Sequence, residues 1–201
     1  MNKKYQKHLI KADSKFKKLI QKVGHVKMKA QPSKEAYRAL VRSVVYQQLS
    51  GKAAAKIFER FVGLFGVDFP TPHQVIQKTV EELRLAGLSR SKAETILRIA
   101  LEAHEGRIPD AQGIKKMSDL EIIECLTKIK GVGPWTVQMF LMFTLKRPDV
   151  MPVTDYGVRK GYQKFLNKRK LPSPKQLEKD TQHWAPYRSY AAWYMWRLLD
   201  D

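Results

Sequence analysis

Apolar residues along this chain recur at intervals of three and four, and no stretch alternates convincingly between apolar and polar, so the pattern predicts helices throughout. In residues 1–30, Leu9, Phe16, Leu19, Ile20 and Val23 fall at near-helical spacing among lysines, which reads as one amphipathic helix. Ser33 can cap the next helix, whose apolar face combines Ala36, Leu40 and Val44 with Tyr37, Val41 and Val45. After Gly51, a stripe of Ala54, Ile57, Phe58, Phe61, Leu64 and Phe65 marks another. Thr71-Pro72 starts a further helix, because proline is tolerated in a first turn. Thr79 with Glu82, and Ser118 with Glu121, have the spacing of capping boxes. Between them, Ala93, Ile96, Leu97, Ala100 and Leu101 repeat the helical period from beyond Gly87 to about Gly106. Pro134 opens a very apolar helix through Leu145, a helix after Thr154 runs to about Leu166, and Pro174 and Pro186 open the last two. The fold class predicted is all-α.

Charge changes this picture most. Lys and Arg total 38 against 19 acids, a formal net charge of +19 on 201 residues. So much positive charge repels itself in a compact state and points to a polyanionic partner such as nucleic acid. Residues 1–30 alone carry ten lysines and one acid, Asp13. A hydrophobic share of 43% supports a packed core rather than general disorder. The single cysteine, Cys125, excludes an internal disulfide, an iron–sulfur cluster and a cysteine-rich zinc site. The five histidines (His8, His25, His73, His104, His183) have no ligand spacing. There is no secretory signal pattern and no uncharged run of bilayer length, so the chain reads as intracellular and monomeric, in the cytoplasm of a prokaryote or the nucleus of a eukaryote.

Candidate chemistry begins at Gly131-Val132-Gly133, which joins two predicted helices. Two glycines at this spacing allow a tight turn with backbone amides facing outward. The turn feeds the N-terminus of the Pro134 helix, where unpaired N–H groups and the helix dipole favour an anion such as a DNA phosphate. By itself a Gly-x-Gly corner is ordinary. About twenty residues later, Met151-Pro-Val-Thr-Asp155-Tyr-Gly-Val-Arg-Lys160 places Asp155 at the start of a helix, where a carboxylate is also a common cap.

Together, the hairpin and this aspartate resemble the helix-hairpin-helix (HhH-GPD) DNA glycosylases. Three further segments narrow the likeness: Tyr46-Gln-Gln-Leu-Ser-Gly-Lys-Ala-Ala-Ala55, Trp135-Thr136, and Trp184-Ala-Pro-Tyr-Arg-Ser-Tyr-Ala-Ala-Trp-Tyr-Met-Trp196. They are similar to the alkylpurine branch, typified by 3-methyladenine DNA glycosylase II, and the match runs from about Ser33 to Leu199. The resemblance implies a two-lobed helical fold acting as one unit over 1–201. One lobe would be residues 35–145 and the other 1–34 with 146–201, gripping duplex DNA with a damaged base at their junction. Asp155 would be the essential carboxylate, stabilising an oxocarbenium-like sugar or orienting a water. Trp135, Tyr156, Trp196 and Tyr46 would form the base pocket, and Gln48 would plug the duplex where the base leaves it. Gly131, Val132, Gly133 and Thr136 would bind phosphate. The backbone carbonyls of Thr127, Ile129 and Gly131 would hold a monovalent cation, with no other cofactor. Relatives that also nick the strand carry a lysine directly after the hairpin, a place held here by Trp135, so the resemblance implies hydrolysis without lyase chemistry. Two other readings stay open: a non-enzymatic hairpin module that holds DNA, and a glycosylase for oxidised or mismatched bases.

Overall fold

A computed structural model describes residues 4–26, 36–49, 51–66 and 68–200, and every regular element among them is helical. In chain order the α-helices are α1 (Lys4–Ala12), α2 (Lys15–Val23), α3 (Ala36–Tyr46), α4 (Gly51–Gly63), α5 (Pro72–Ile76), α6 (Val80–Arg84) and α7 (Arg90–His104). They continue as α8 (Ala111–Lys116), α9 (Asp119–Leu126), α10 (Pro134–Phe143), α11 (Tyr156–Phe165), α12 (Pro174–Asp180) and α13 (Arg188–Arg197). A 3-10 turn over Gln182–Trp184 precedes α13. The chain divides into two compact units: a terminal unit of Met1–Ala30 with Leu141–Asp201, and a central unit of Gln31–Phe140.

In the central unit, α7 is the axis against which α3, α5 and α6 pack. The apolar face foreseen for α3 is buried throughout, from Ala36 and Tyr37 to Val44 and Val45. Across from it, α4 buries Ala54 and Phe61, while Ile57 and Phe58 are half-buried. Phe58, Phe61, Phe65, Phe69 and Tyr37 form one aromatic cluster with centroids 5.5–6.4 Å apart. Thr71–Gln74, Thr79–Glu82 and Ser118–Glu121 are all reciprocal capping boxes, so three helix starts are set by local chemistry. Asp110 caps α8, a helix the periodicity alone does not reveal because it is only six residues long.

The terminal unit corrects two expectations. The lysine-rich N-terminal segment is two helices and not one. The break falls at Asp13-Ser14, where the Asp13 carboxylate accepts the Lys15 amide at 2.9 Å and starts α2 afresh. Their apolar residues are tied into the unit: Phe16 is fully buried against Phe165, Trp184 and Tyr194, and Tyr5 stacks on Tyr190 at 4.3 Å. Pro186 does not open the last helix. Tyr187 is still non-helical, and α13 starts at Arg188. That start is capped from a distant loop, since the Arg188 amide donates to Asp149 and the Ser189 amide to the Pro148 carbonyl. Likewise α10 ends at Phe143 instead of Leu145, and Ser33 lies outside the described residues.

Candidate functional site

The candidate carboxylate, Asp155, is set on α11 and α13, both in the terminal unit. Asp155 is the N-cap of α11. Its backbone is extended (φ −67°, ψ 122°), and its Oδ1 accepts the Val158 amide at 2.7 Å. The same oxygen accepts the Trp196 indole N–H at 2.8 Å. Two donors on one oxygen fix the plane of the carboxyl group as well as its position. The helix that carries Trp196 comes this close because α11 presents glycine toward it. A Cβ on Gly157 would meet the Trp196 ring at 2.8 Å (Cδ1) and 3.0 Å (Nε1), and one on Gly161 would collide with the Met195 carbonyl. The opposite side of the tryptophan is supported by Phe143, centroid to centroid 5.8 Å and nearly parallel.

Upstream of Asp155, the loop is pinned to the start of α13. Asp149 takes a bidentate pair from Arg188, both contacts at 2.8 Å, and Ser189 Oγ receives the Val150 amide at 2.9 Å while donating to the Arg147 carbonyl at 2.7 Å. The Arg188 guanidinium holds the Asp149 carboxyl below its usual range. Tyr156, the residue after the N-cap, has 66% of its surface exposed, so its ring is on the surface beside Asp155 and not in the core.

The hairpin lies in the central unit. After α9, the Val132 amide donates to the Ile129 carbonyl at 2.9 Å, and the amides of Thr136 and Val137 donate to the Gly133 carbonyl. Gly131 is the residue that permits the turn: its φ is +96°, and a Cβ there would collide with the Thr95 hydroxyl of α7. Gly133 differs from expectation, since its φ is not in the left-handed region and a Cβ would meet nothing within 4 Å. Val132 and Thr136, also expected to bind phosphate, make hydrogen bonds within the unit. Val132 is buried and its amide is spent inside the turn. Thr136 is wholly buried, its amide bonded to Gly133 and its hydroxyl accepting Gln47 Nε2 at 2.8 Å. Gly131 is exposed and Gly133 half-exposed, which keeps their backbone on the surface. Trp135 is half-buried at the first turn of α10.

The loop after α3 belongs to the same unit. Gln48 and Leu49 are exposed, and Gln48 has φ +55°, a conformation that costs a non-glycine residue free energy and persists only when its surroundings impose it. Lys92 of α7 supplies part of that surrounding: its Nζ donates to the carbonyls of Val45 (2.8 Å) and Gln47 (2.7 Å), while partial burial lowers its pKa. Tyr46 is half-buried with one ring face covered by the Arg42 guanidinium at 4.2 Å. Sequence reasoning missed Lys92, Asp149 and Arg188, whose partners are 39 to 47 residues away. Gly157 and Gly161 carried a usable signal, a small-residue pair four apart on one helix face.

A glycine-turned hairpin between two helices and an aspartate N-cap held by two N–H donors are the features on which the sequence resembles the helix-hairpin-helix proteins. The chain belongs to the HhH-GPD superfamily of base excision DNA repair proteins, whose family model matches residues 41–186. It is 38% identical to DNA-3-methyladenine glycosylase 1 of Schizosaccharomyces pombe over 94% of this chain and 84% of the relative. It is 36% identical to the alkylbase DNA glycosidase-like protein mag2 of the same organism, over 98% of this chain and 93% of that one. The solved structure of the S. pombe 3-methyladenine glycosylase in complex with abasic DNA superposes with a TM-score of 0.90, at 37% identity, covering 96% of this chain and 95% of that one.

Proposed function

We propose that this protein is a monofunctional DNA glycosylase that swings an alkylated purine of the 3-methyladenine or 7-methylguanine type out of the duplex and hydrolyses its N-glycosidic bond. The observation that carries the reading is Asp155: a carboxylate oriented by two N–H donors, in a chain whose relatives are named for 3-methyladenine excision. Cleavage of the purine–sugar bond leaves positive charge on the deoxyribose. A fixed anion beside C1′ lowers that transition state without having to reorganise. The Asp155 carboxylate stabilises the sugar cation or orients the water that adds to it. A purine alkylated at N3 or N7 is itself cationic, so it leaves without strong protonation and stacks favourably on electron-rich rings. Trp135, Tyr46 and Tyr156 are the aromatic residues proposed to meet it. Gln48, exposed and held in its left-handed turn, fills the space in the base stack.

The hairpin backbone at Gly131 and Gly133 meets phosphate, a contact that positions the duplex without reading its sequence. The carbonyls of Thr127, Ile129 and Gly131 are the proposed ligands of a monovalent cation. Neutral carbonyl oxygens suit such an ion. Ile129 already accepts the Val132 amide, and its second lone pair is the one left for the ion. Bound there, the ion adds positive charge next to a phosphate and takes no part in bond cleavage. Trp135, where a Schiff-base lysine would have to stand, supports hydrolysis without strand nicking.

The test uses duplexes with one 3-methyladenine or 7-methylguanine each. Expected are release of the free methylated base and an abasic strand that breaks only on alkali treatment. Asp155→Asn keeps affinity for an abasic duplex and loses at least about a hundredfold in excision rate. Tight binding without base release would leave a non-enzymatic DNA-holding module. Nicking without alkali, with borohydride trapping of a covalent adduct, would make the protein a lyase.

A further inference from the structure

By position in the chain, Trp196 falls among aromatic residues expected to wall a base pocket. The structure gives it a second role through its one polar atom. Trp196 Nε1 donates to Asp155 Oδ1 at 2.8 Å, and that oxygen also holds the Val158 amide at 2.7 Å. We infer that Trp196 is a positioning residue for the catalytic carboxylate, acting through its indole N–H, and that Gly157 is the residue that admits it. The inference rests on the reading of Asp155 as the catalytic carboxylate.

The local backbone explains why two donors are needed. An N-cap carboxylate held only by its own helix caps through one oxygen at a time, so rotation about χ2 can exchange the two oxygens and leave the second free to turn. A second donor from another helix removes that freedom. An indole ring is well suited to the role, since it donates one hydrogen bond, accepts none, and has only two side-chain torsions. Its ring is braced by Phe143 at 5.8 Å and by the close approach of α13 to α11 at Gly161. Space for it exists because position 157 lacks a Cβ. A methyl group there would lie 2.8 Å from the ring carbon Cδ1, 3.0 Å from Nε1 and 3.1 Å from Asp155 Oδ1, inside the contact distance of all three. The tripeptide Asp155-Tyr156-Gly157 thus carries the acceptor and the vacancy for its donor within one helical turn.

Two measurements test this. In the first, Trp196→Phe retains a ring to pack on Phe143 and deletes the N–H. Its single-turnover excision rate on a 7-methylguanine duplex is expected to fall about ten- to a hundredfold, the effect of losing a hydrogen bond to a charged group. Affinity for the lesion duplex, compared between Asp155→Asn and Asp155→Asn combined with Trp196→Phe so that nothing is excised, stays at its parent value, which loss of a pocket wall would not allow. Gly157→Ala is expected to lose rate in the same way, by pushing the indole off the carboxylate. The second measurement is independent of catalysis. The chain has four tryptophans, so the indole N–H region of a nitrogen–proton correlation spectrum of the full protein has four resonances. The one that disappears in Trp196→Phe is expected to move upfield in Asp155→Ala.

Full activity of Trp196→Phe, or an indole resonance unmoved in Asp155→Ala, overturns the inference while the excision reading stands. A rate loss in Trp196→Phe matched by weaker lesion-duplex binding in the Asp155→Asn background also overturns it, and returns Trp196 to the pocket wall. Failure of the reading of Asp155 as the catalytic carboxylate has a separate signature, full excision by Asp155→Asn.

Discussion

A methyl group on Gly131 would strike the Thr95 side chain while forcing an L-residue to hold φ +96°, whereas a methyl on Gly133, two residues on, would enter open space at an ordinary backbone angle. The two glycines therefore differ in kind although the sequence presents them as a pair. Gly131→Ala combines a strained backbone with a clash against a buried residue of α7, and is expected to cost about 2–4 kcal/mol of unfolding free energy. Gly133→Ala is expected to fall within about 1 kcal/mol of the parent. Chemical denaturation of both variants checks this. Similar losses in the two, or a larger loss at Gly133, would show the turn to be held differently. Because Gly133 can accept a side chain without refolding the turn, Gly133→Ala is also the cleaner probe of phosphate contact. Any loss of DNA affinity there reports on the approach of the phosphate and not on the fold.

At the scale of elements, what was legible from sequence was whatever is decided within a turn or two. Two capping boxes, the buried face of α3 and the placement of Asp155 at a helix start follow from residues three or four apart. The elements that differ from expectation are decided elsewhere. The start of α13 is set by Asp149, Pro148 and Ser189 across a 39-residue separation, so the nearest proline marked the wrong place. The amides of Val132 and Thr136 close the turn itself, which no count of glycines reports. The Asp149–Arg188 pair yields a prediction at this scale. Asp149 has a depressed pKa in the folded chain, so its contribution to stability is complete above the unfolded carboxylate value of about 3.9 and disappears as pH falls through the folded value. Asp149→Asn is therefore expected to lower the thermal midpoint by several degrees at pH 7, for a loss of about 1–2 kcal/mol. The gap to the parent should narrow as pH falls below about 4. A gap that is constant with pH would assign the pair's value to shape and not to charge. The same variant should also slow excision, since the loop that leads to Asp155 is anchored by this pair.

For the molecule as a whole, the governing quantity is the formal charge of +19. Basic residues that meet DNA phosphates release condensed counterions, so log affinity falls linearly with log salt at a slope of about −0.9 for each phosphate neutralised. A chain this basic is expected to give a slope of at least about −4 on an undamaged duplex, where no flipped base contributes. A lesion duplex should bind more tightly at every salt concentration with nearly the same slope, because stacking the base in a pocket adds affinity without adding phosphate contacts. Two parallel lines are the expected plot from a titration between about 50 and 200 mM salt. Lines that diverge toward low salt would mean that lesion recognition itself adds phosphate contacts. A slope near zero would mean that the charge serves something other than DNA. The division of labour matters for an enzyme that must examine many intact base pairs for each damaged one. Under the proposed function, charge that binds all DNA alike keeps the protein on the duplex, and the few residues around Asp155 then decide where it stops.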